Sequence, residues 1–469
     1  MSTTSTDPQS SSAGLDYRTV WRWHFYAGLF CIPFVLWLAT TGSIFLFKPQ
    51  IIHWLDRPYS HLAVDAQHPS INAQVQAALA AVPGSSLHSY QLPRTADAAP
   101  QILVGKGTQE YRVYVHPQTL QILKIQNEDK RPMDVIQHLH GELLIGATGS
   151  MIVELAASWA VVMIVTGLFL WWPRSSDGLA GVLYPRLRQG QRTFWRDIHA
   201  VTGIWISFFA LFLLFTGLPW AKSWGGYLKA VRHLSGERVV KQDWNTSSSA
   251  VKAARLAMNH ADADAASSAH AEHMHHAMTM PAGPDAYRAI DTMVAVVTPM
   301  HLPEPVLITP PTHAGGNWTA RTDTQNRPQR VTLTLDAQTG QVVQRQTFSQ
   351  RPWLDRVVFT GVAAHEGQLF GVLNQIISLM TALGLELLCV SALVMWWRRR
   401  PDGVLGAPAP IHRVRFSFGL IAFLVIFGLY MPFLGASMIL VGLTERFVLR
   451  RIPAAQRWLG LSMPERALA

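Results

Sequence analysis

Apolar residues dominate five stretches of the chain, 25–47, 143–172, 200–220, 371–397 and 416–431. At 1.5 Å per residue, roughly 20 such residues in a helix cross the ~30 Å hydrocarbon layer of a membrane. A sixth stretch, 433–448, is short and follows Pro432, which predicts either a returning span or a helix lying at the interface. Between the first and second spans, and again between the third and fourth, the pattern changes. INAQVQAALAAVP (71–83) has helical spacing, with Ile71, Val75, Ala78, Leu79 and Val82 on one face. QILVG, YRVYV, the turn HPQTL and QILKI follow as strands; VTLTL, the turn DAQTG and QVVQRQ occupy the matching place further on. Gly340 sits where such a turn needs a positive φ. The pattern predicts a polytopic α-helical membrane protein with two small α+β domains outside the bilayer.

Composition agrees. Of 469 residues only 14% are charged, against about 25% in an average soluble protein, and 17 are Trp. The first span follows a polar tail and has no small-residue cleavage site, so it reads as a retained anchor. Short basic segments mark the cytoplasmic side: Arg18 and Arg22, then Arg174, Arg186, Arg188, Arg192 and Arg196, then Arg398, Arg399, Arg400, Arg413 and Arg415. The net charge of +10 is thus a topology signal at span ends, which argues against nucleic acid as a partner. The predicted order is a cytoplasmic tail (1–17), a span (18–48), an external domain (49–137), a span (138–172) and a cytoplasmic loop (173–198). A third span (199–220), a second external domain (221–364), a fourth span (365–397) and a cytoplasmic loop (398–414) follow. A C-terminal helix or hairpin (415–450) and a tail (451–469) complete the chain. Cys31 and Cys389 both fall within spans and read as packing residues.

Four histidines repeat with their surroundings. His24 is followed by Gly28 and Gly42, and His199 by Gly203 and Gly217, at the same two offsets. His140 is followed by Gly146 and Trp171-Trp172, and His365 by Gly371 and Trp396-Trp397, again at matched offsets. An ionisable residue inside hydrocarbon is costly, so each is a functional candidate, to be weighed against a simple interhelical hydrogen bond. Alternating orientation puts His24 and His199 at an inner level and His140 and His365 at an outer one. Two histidines from facing helices at one level suit the axial positions of a b-type haem, whereas a zinc site needs three or four ligands. A span of ~20 residues separates the levels by roughly 20–30 Å.

Gly28, Gly203, Gly146 and Gly371 lie within two turns of a histidine, where they admit either a flat macrocycle or a neighbouring helix. Arg22 and Arg196 are candidates for haem propionates, and His138 is a weaker ligand or substrate contact. His412 reads as interfacial. Glu154 and Glu386 lie inside spans, as candidates for proton transfer or a quinone site or as ordinary hydrogen-bonding groups, and they do not match under the repeat. An insertion over 245–284 is rich in Ala, Ser, His and Met. Its His270, His273, Met274, His275, His276, Met278 and Met280 offer imidazole and thioether ligands suited to copper, within what also reads as a low-complexity linker.

Together HFYAG…TTG, HLHGELLIGATG…TGLFLWWPR, RDIHAVTG…FTG, TLDAQTGQVV and HEGQLFG…WW resemble the PepSY-associated transmembrane family over nearly the whole of 18–400. These are bacterial inner-membrane proteins that include ferric-siderophore reductases. The resemblance implies a four-helix core with two bis-histidine b-type haems, held by His24, His199, His140 and His365, and two PepSY-like periplasmic domains. It implies an oxidoreductase that passes electrons across the inner membrane to a periplasmic ferric-siderophore or related metal complex. The chain carries no dinucleotide or P-loop motif, so a cytoplasmic reductant or quinol is the expected donor; no catalytic residue is singled out. Cupric reduction or copper handling through the insertion is one alternative, and a non-redox sensor or scaffold built on the PepSY-like domains is another.

Overall fold

The structure, a computed structural model, describes residues 17–65, 69–173, 178–234, 287–311, 315–408 and 418–461. Its helices begin with α1 (Tyr17–Leu46), α2 (Lys48–Asp56), α3 (Ile71–Ala81), α4 (Pro132–Glu142), α5 (Gly146–Trp171), α6 (Gly190–Gly217) and α7 (Lys222–Leu234). They continue with α8 (Ile290–Val297), α9 (Trp353–His365), α10 (Val372–Arg399), α11 (Phe418–Tyr430), α12 (Pro432–Phe447) and α13 (Pro453–Leu459). The strands are β1 (Ser86–Gln91), β2 (Gln101–Lys106), β3 (Gln109–Val115), β4 (Ile122–Asn127), β5 (Val306–Thr309), β6 (Trp318–Thr322), β7 (Val331–Leu335) and β8 (Val342–Thr347). The chain divides into a helical unit (Met1–Gly42, His140–Val231 and Leu379–Ala469) and a sheet-bearing unit (Ser43–Leu139 and Arg232–Ser378).

Among the described residues, five helices are long and apolar enough to cross a membrane. They are α1, α5, α6 with the turn that follows it to Trp220, α10, and α12 with its following turn to Arg451. The protein is a polytopic membrane protein. The fifth span differs from the one expected at 416–431. Helix α11 has 13 residues, about 20 Å at 1.5 Å per residue, whereas the single turn Leu449–Arg451 lengthens α12. Pro432, without an N–H to donate, ends α11 and starts α12. Gly428 and Gly435 bring the two helices together: a Cβ added at Gly435 would lie 2.8 Å from the Gly428 carbonyl oxygen. Met431 and Leu434 pack with Val161 of α5 and Leu218 just beyond α6, and the Trp159 indole donates to Ser437 Oγ at 3.0 Å.

Two further boundaries depart from the sequence reading. The spans predicted at 138–172 and 365–397 start at their histidines, but α4 ends at Glu142 and α9 ends at His365, each before its span begins. Leu143 and Leu144 have φ of 50° and 60°, and Gly146 of 63°. Two leucines in the left-handed region break α4 from α5, and a Cβ at Gly149 would fall 1.7 Å from the Glu142 carbonyl oxygen. Only glycine permits that approach. In the second half Gly371, with φ of 59°, precedes α10, and the Asn374 amide donates to the Ala364 carbonyl at 2.9 Å. Gly146 and Gly371 therefore serve the turn into each span.

In the sheet-bearing unit the two predicted α+β halves are present, but they are not separate domains. Strands β1 and β5 pair antiparallel, Tyr90 opposite Ile308 and Gln91 opposite Leu307, giving one eight-stranded sheet ordered β4-β3-β2-β1-β5-β6-β7-β8. The halves match in detail. A bulge falls between Tyr114 and Val115 in one and between Thr334 and Leu335 in the other. Gly340 has the expected positive φ, 70°, and Leu120 occupies the same turn position at 59°. Helices α3 and α8 contribute Val75, Ala78, Ile290 and Met293 to a core with Ile102, Val104, Val113, Ile308, Leu333 and Leu335. Ser70 caps α3 by accepting from the Ala73 amide, and Asp291 of α8 accepts from the Ile71 amide at 2.5 Å. The second half thus satisfies orphan donors of the first half's helix.

Candidate functional site

The helical unit brings His24 of α1 and His199 of α6 together. Their ring centres are 6.4 Å apart and their planes cross at 83°. Each ring is held by a different neighbour. His24 Nδ1 lies 3.0 Å from the Met163 carbonyl oxygen and 3.1 Å from Thr166 Oγ1, both on α5. His199 Nδ1 lies 3.2 Å from the Leu388 carbonyl oxygen and 3.0 Å from Ser391 Oγ, both on α10. A carbonyl oxygen only accepts, so each Nδ1 carries the proton, and in the neutral ring Nε2 keeps its lone pair. The hydroxyls agree: Thr166 donates to the Val162 carbonyl at 2.8 Å and Ser391 to the Leu388 carbonyl at 3.0 Å, leaving their oxygens to accept.

A Cβ added at Gly28 would meet Met163 Sδ at 3.8 Å, and one at Gly203 would meet Leu388 Cδ2 at 3.9 Å, ordinary contacts that leave room for a methyl group at either position. Both glycines thus face the residue whose carbonyl accepts from the histidine one turn earlier. Gly167, next to Thr166, lies against the His24 ring itself, where a Cβ would be 3.1 Å from Cε1. With Nδ1–H satisfied, each ring in its neutral form could offer Nε2 to a metal ion. His24 and His199 are therefore residues of this unit that could hold a haem iron or other metal ion.

The model for the PepSY-associated TM region matches residues 21–399, which is most of the chain. The chain belongs to the PepSY-associated transmembrane family. No curated protein matches it with significance.

In this PepSY-associated transmembrane protein the other two histidines of the repeat sit one in each unit. His140 is in the last turn of α4, with Nδ1 3.0 Å from Thr41 Oγ1. Thr41 donates its own proton to the Trp37 carbonyl at 2.8 Å, so it accepts from His140. A Cβ at Gly42 would lie 3.2 Å from His140 Cε1, repeating the relation of Gly167 to His24. His365 closes α9, and the next residue, Glu366, is buried and paired with Arg327 at 3.0 Å. His138 is on α4, two residues before His140, and so projects from a different side of that helix.

The arginines proposed for propionates have protein partners. Arg22 Nη1 donates to the carbonyls of Pro408, at 2.5 Å, and Gly460, at 2.8 Å. Arg196 bonds Asp197, which is fully buried and also held by Arg186. The copper candidates His270, His273, Met274, His275, His276, Met278 and Met280 lie outside the described residues. Sequence reasoning marked TTG and FTG only as repeat signposts. The hydroxyl-then-small pairs Thr41-Gly42, Thr166-Gly167 and Ser391-Ala392 were not recognised as histidine partners, although two were visible as a Thr-Gly inside a span. Each repeat's first tryptophan also has a structural role: Trp171 and Trp396 donate to the Val182 and Leu405 carbonyls at 2.9 and 2.8 Å, tying span ends to the loops beyond.

Glu154, buried in α5, accepts from the backbone amides of Ser223 and Trp224 at 3.0 and 3.1 Å. Ser150 accepts from Lys222 alongside it. Glu154 therefore caps the N-terminus of α7, whereas Glu386 accepts from the Thr40 hydroxyl at 3.0 Å. Loss of a cap costs about 0.5–2 kcal/mol, so Glu154→Ala should lower stability by about that amount and open α7 first. Limited proteolysis within 222–234, alongside thermal unfolding of the full chain in detergent, checks this; an unchanged cleavage rate would contradict it.

Proposed function

We propose that this protein is an inner-membrane haem-dependent reductase that carries electrons across the bilayer to a metal complex on the periplasmic side. The observation that supports it best is the His24–His199 pair, two imidazoles from different helices with ring centres 6.4 Å apart, each with Nδ1–H already bonded. A haem bound there would supply a one-electron carrier within the membrane. The chain supplies the rest. Helices α1 and α6 set the separation of the two nitrogens, while α5 and α10 fix the protonated edge of each ring. The sequence repeat, by itself, extends the proposal to a second haem on His140 and His365.

The proposed substrate is a periplasmic ferric-siderophore or similar chelate. One electron converts Fe(III) to Fe(II), which hard oxygen chelators hold less well, so reduction releases the metal. The electron comes from a cytoplasmic reductant or quinol. The absorption spectrum of the purified protein tests this directly. We expect a Soret band that shifts on dithionite reduction, with sharp α and β bands, and reoxidation by a ferric chelate. Protein without a Soret band would make the family's membrane core a scaffold in this chain and end the reductase reading.

A further inference from the structure

We infer that Thr166, Ser391 and Thr41 are positioning residues that set the electron-donating strength and ring angle of His24, His199 and His140. The inference rests on the haem reading above and deepens it. It is carried by one geometry shared, among the described residues, by His24, His199 and His140. In each, a hydroxyl on a neighbouring helix lies 3.0 or 3.1 Å from a histidine Nδ1. Each hydroxyl also uses its own proton on a carbonyl within its own helix, at 2.8 to 3.0 Å. The oxygen is thereby fixed as an acceptor and the histidine as the Nδ1–H tautomer.

Such an arrangement has a chemical consequence beyond packing. An accepted Nδ1–H bond increases the basicity of Nε2 and locks rotation of the ring, and loss of such a partner typically costs about 10–100-fold in metal affinity or activity. A more basic imidazole favours the ferric state, so removing the hydroxyl should raise the reduction potential; at His24 and His199 the Met163 and Leu388 carbonyls stay in place as second acceptors, so the shift there is partial. The neighbouring residue sets the angle. Gly42 and Gly167 leave the ring edge room that a Cβ, at 3.2 and 3.1 Å from Cε1, would take away. Ser391 is followed by Ala392, so His199 is held by a variant of the same device.

The test uses the full-length haem-loaded protein and three readouts: haem retention, the midpoint potential from a spectroscopic redox titration, and the low-spin ferric g values. Thr166→Val and Ser391→Ala should each raise the potential of one and the same haem and weaken its retention by up to about tenfold, the Met163 and Leu388 carbonyls keeping part of the bond. Thr166→Ser should restore both properties. Gly167→Ala should alter the g values of that haem while retaining the hydroxyl. Thr41→Val should perturb the other haem. If the wild-type protein binds no haem, the underlying reading fails. If it binds haem but Thr166→Val and Ser391→Ala leave potential and g values unchanged, or Thr166→Ser behaves as Thr166→Val does, the positioning role alone fails. Should Thr166→Val not fold, Ser391→Ala, the smaller change, decides the question on the same readouts.

Discussion

His24→Ala and His199→Ala are each expected to remove the same haem, leaving the purified protein with one of the two proposed. The two substitutions should be equivalent, because either leaves one of the paired rings, 6.4 Å apart, without its counterpart. Both rings lie on membrane-spanning helices, and each substitution removes that ring's hydrogen bonds to α5 or α10, a cost of about 1–3 kcal/mol that leaves the apolar span itself in place. The protein should therefore stay folded while losing roughly half its Soret absorbance per chain, and lose chelate reduction with it. His24→Met is a graded variant: a thioether can occupy an axial position and raises the potential relative to two imidazoles. His138→Ala should retain both haems, since its side chain projects from a different side of α4 from that of His140. Haem extraction with quantitative pyridine spectra reads all four. Retention of two haems in both His24→Ala and His199→Ala would show that this pair is not a ligand pair.

What the sequence made legible, and what it hid, follows from range. The spacing of His24, Gly28, His199 and Gly203 is local and repeated, so the pairing of the two halves could be read directly. The apolar faces of α3 and the turn at Gly340 were likewise local. Helix breaks were hidden because LLIGA (143–147) is apolar and runs on into the span: hydropathy does not register that Leu143 and Leu144 take positive φ. The β1–β5 pairing was hidden for a different reason. Tyr90 and Ile308 meet across more than two hundred residues, and an edge strand seeking a partner carries no sequence label of its own. The histidine partners lay between these extremes. Thr166 is a common type of residue in a span, and its distance to His24 Nδ1 is what marks it as a histidine partner.

The sheet-bearing unit should depend most on Glu128. Its carboxylate makes a two-point ion pair with Arg112 of β3, at 2.7 and 3.0 Å, and also meets Arg131 at 3.4 Å. Arg112 in turn donates to Gln91 and Gln101 at 2.7 and 2.9 Å, so one buried guanidinium links β1, β2 and β3 to the residues that lead into α4. Burial alone would push the Glu128 carboxyl up, but the Arg112 and Arg131 guanidinium groups outweigh it and hold the pKa down at about 2, from 4.5. A depressed acid contributes stability that is fully present above its unfolded pKa and is lost as pH falls through the folded value. The window is therefore between about pH 5 and pH 2. At about 1.4 kcal/mol per pH unit the contribution is about 3 kcal/mol. Glu128→Ala leaves Arg112 buried without its counter-ion, a change that costs about 3–5 kcal/mol. Replacing both partners with apolar residues of similar volume, Arg112→Met with Glu128→Leu, should cost less than either single change, because no charge is then stranded. Thermal unfolding of the full chain in detergent, followed by circular dichroism at neutral pH and at pH 3, separates these outcomes. Glu128→Ala should unfold well below the wild type at neutral pH, and the difference should shrink towards pH 2 as the native carboxylate takes up its proton. A difference independent of pH would assign the loss to packing, and a double variant less stable than both single ones would rule out the stranded charge as its cause.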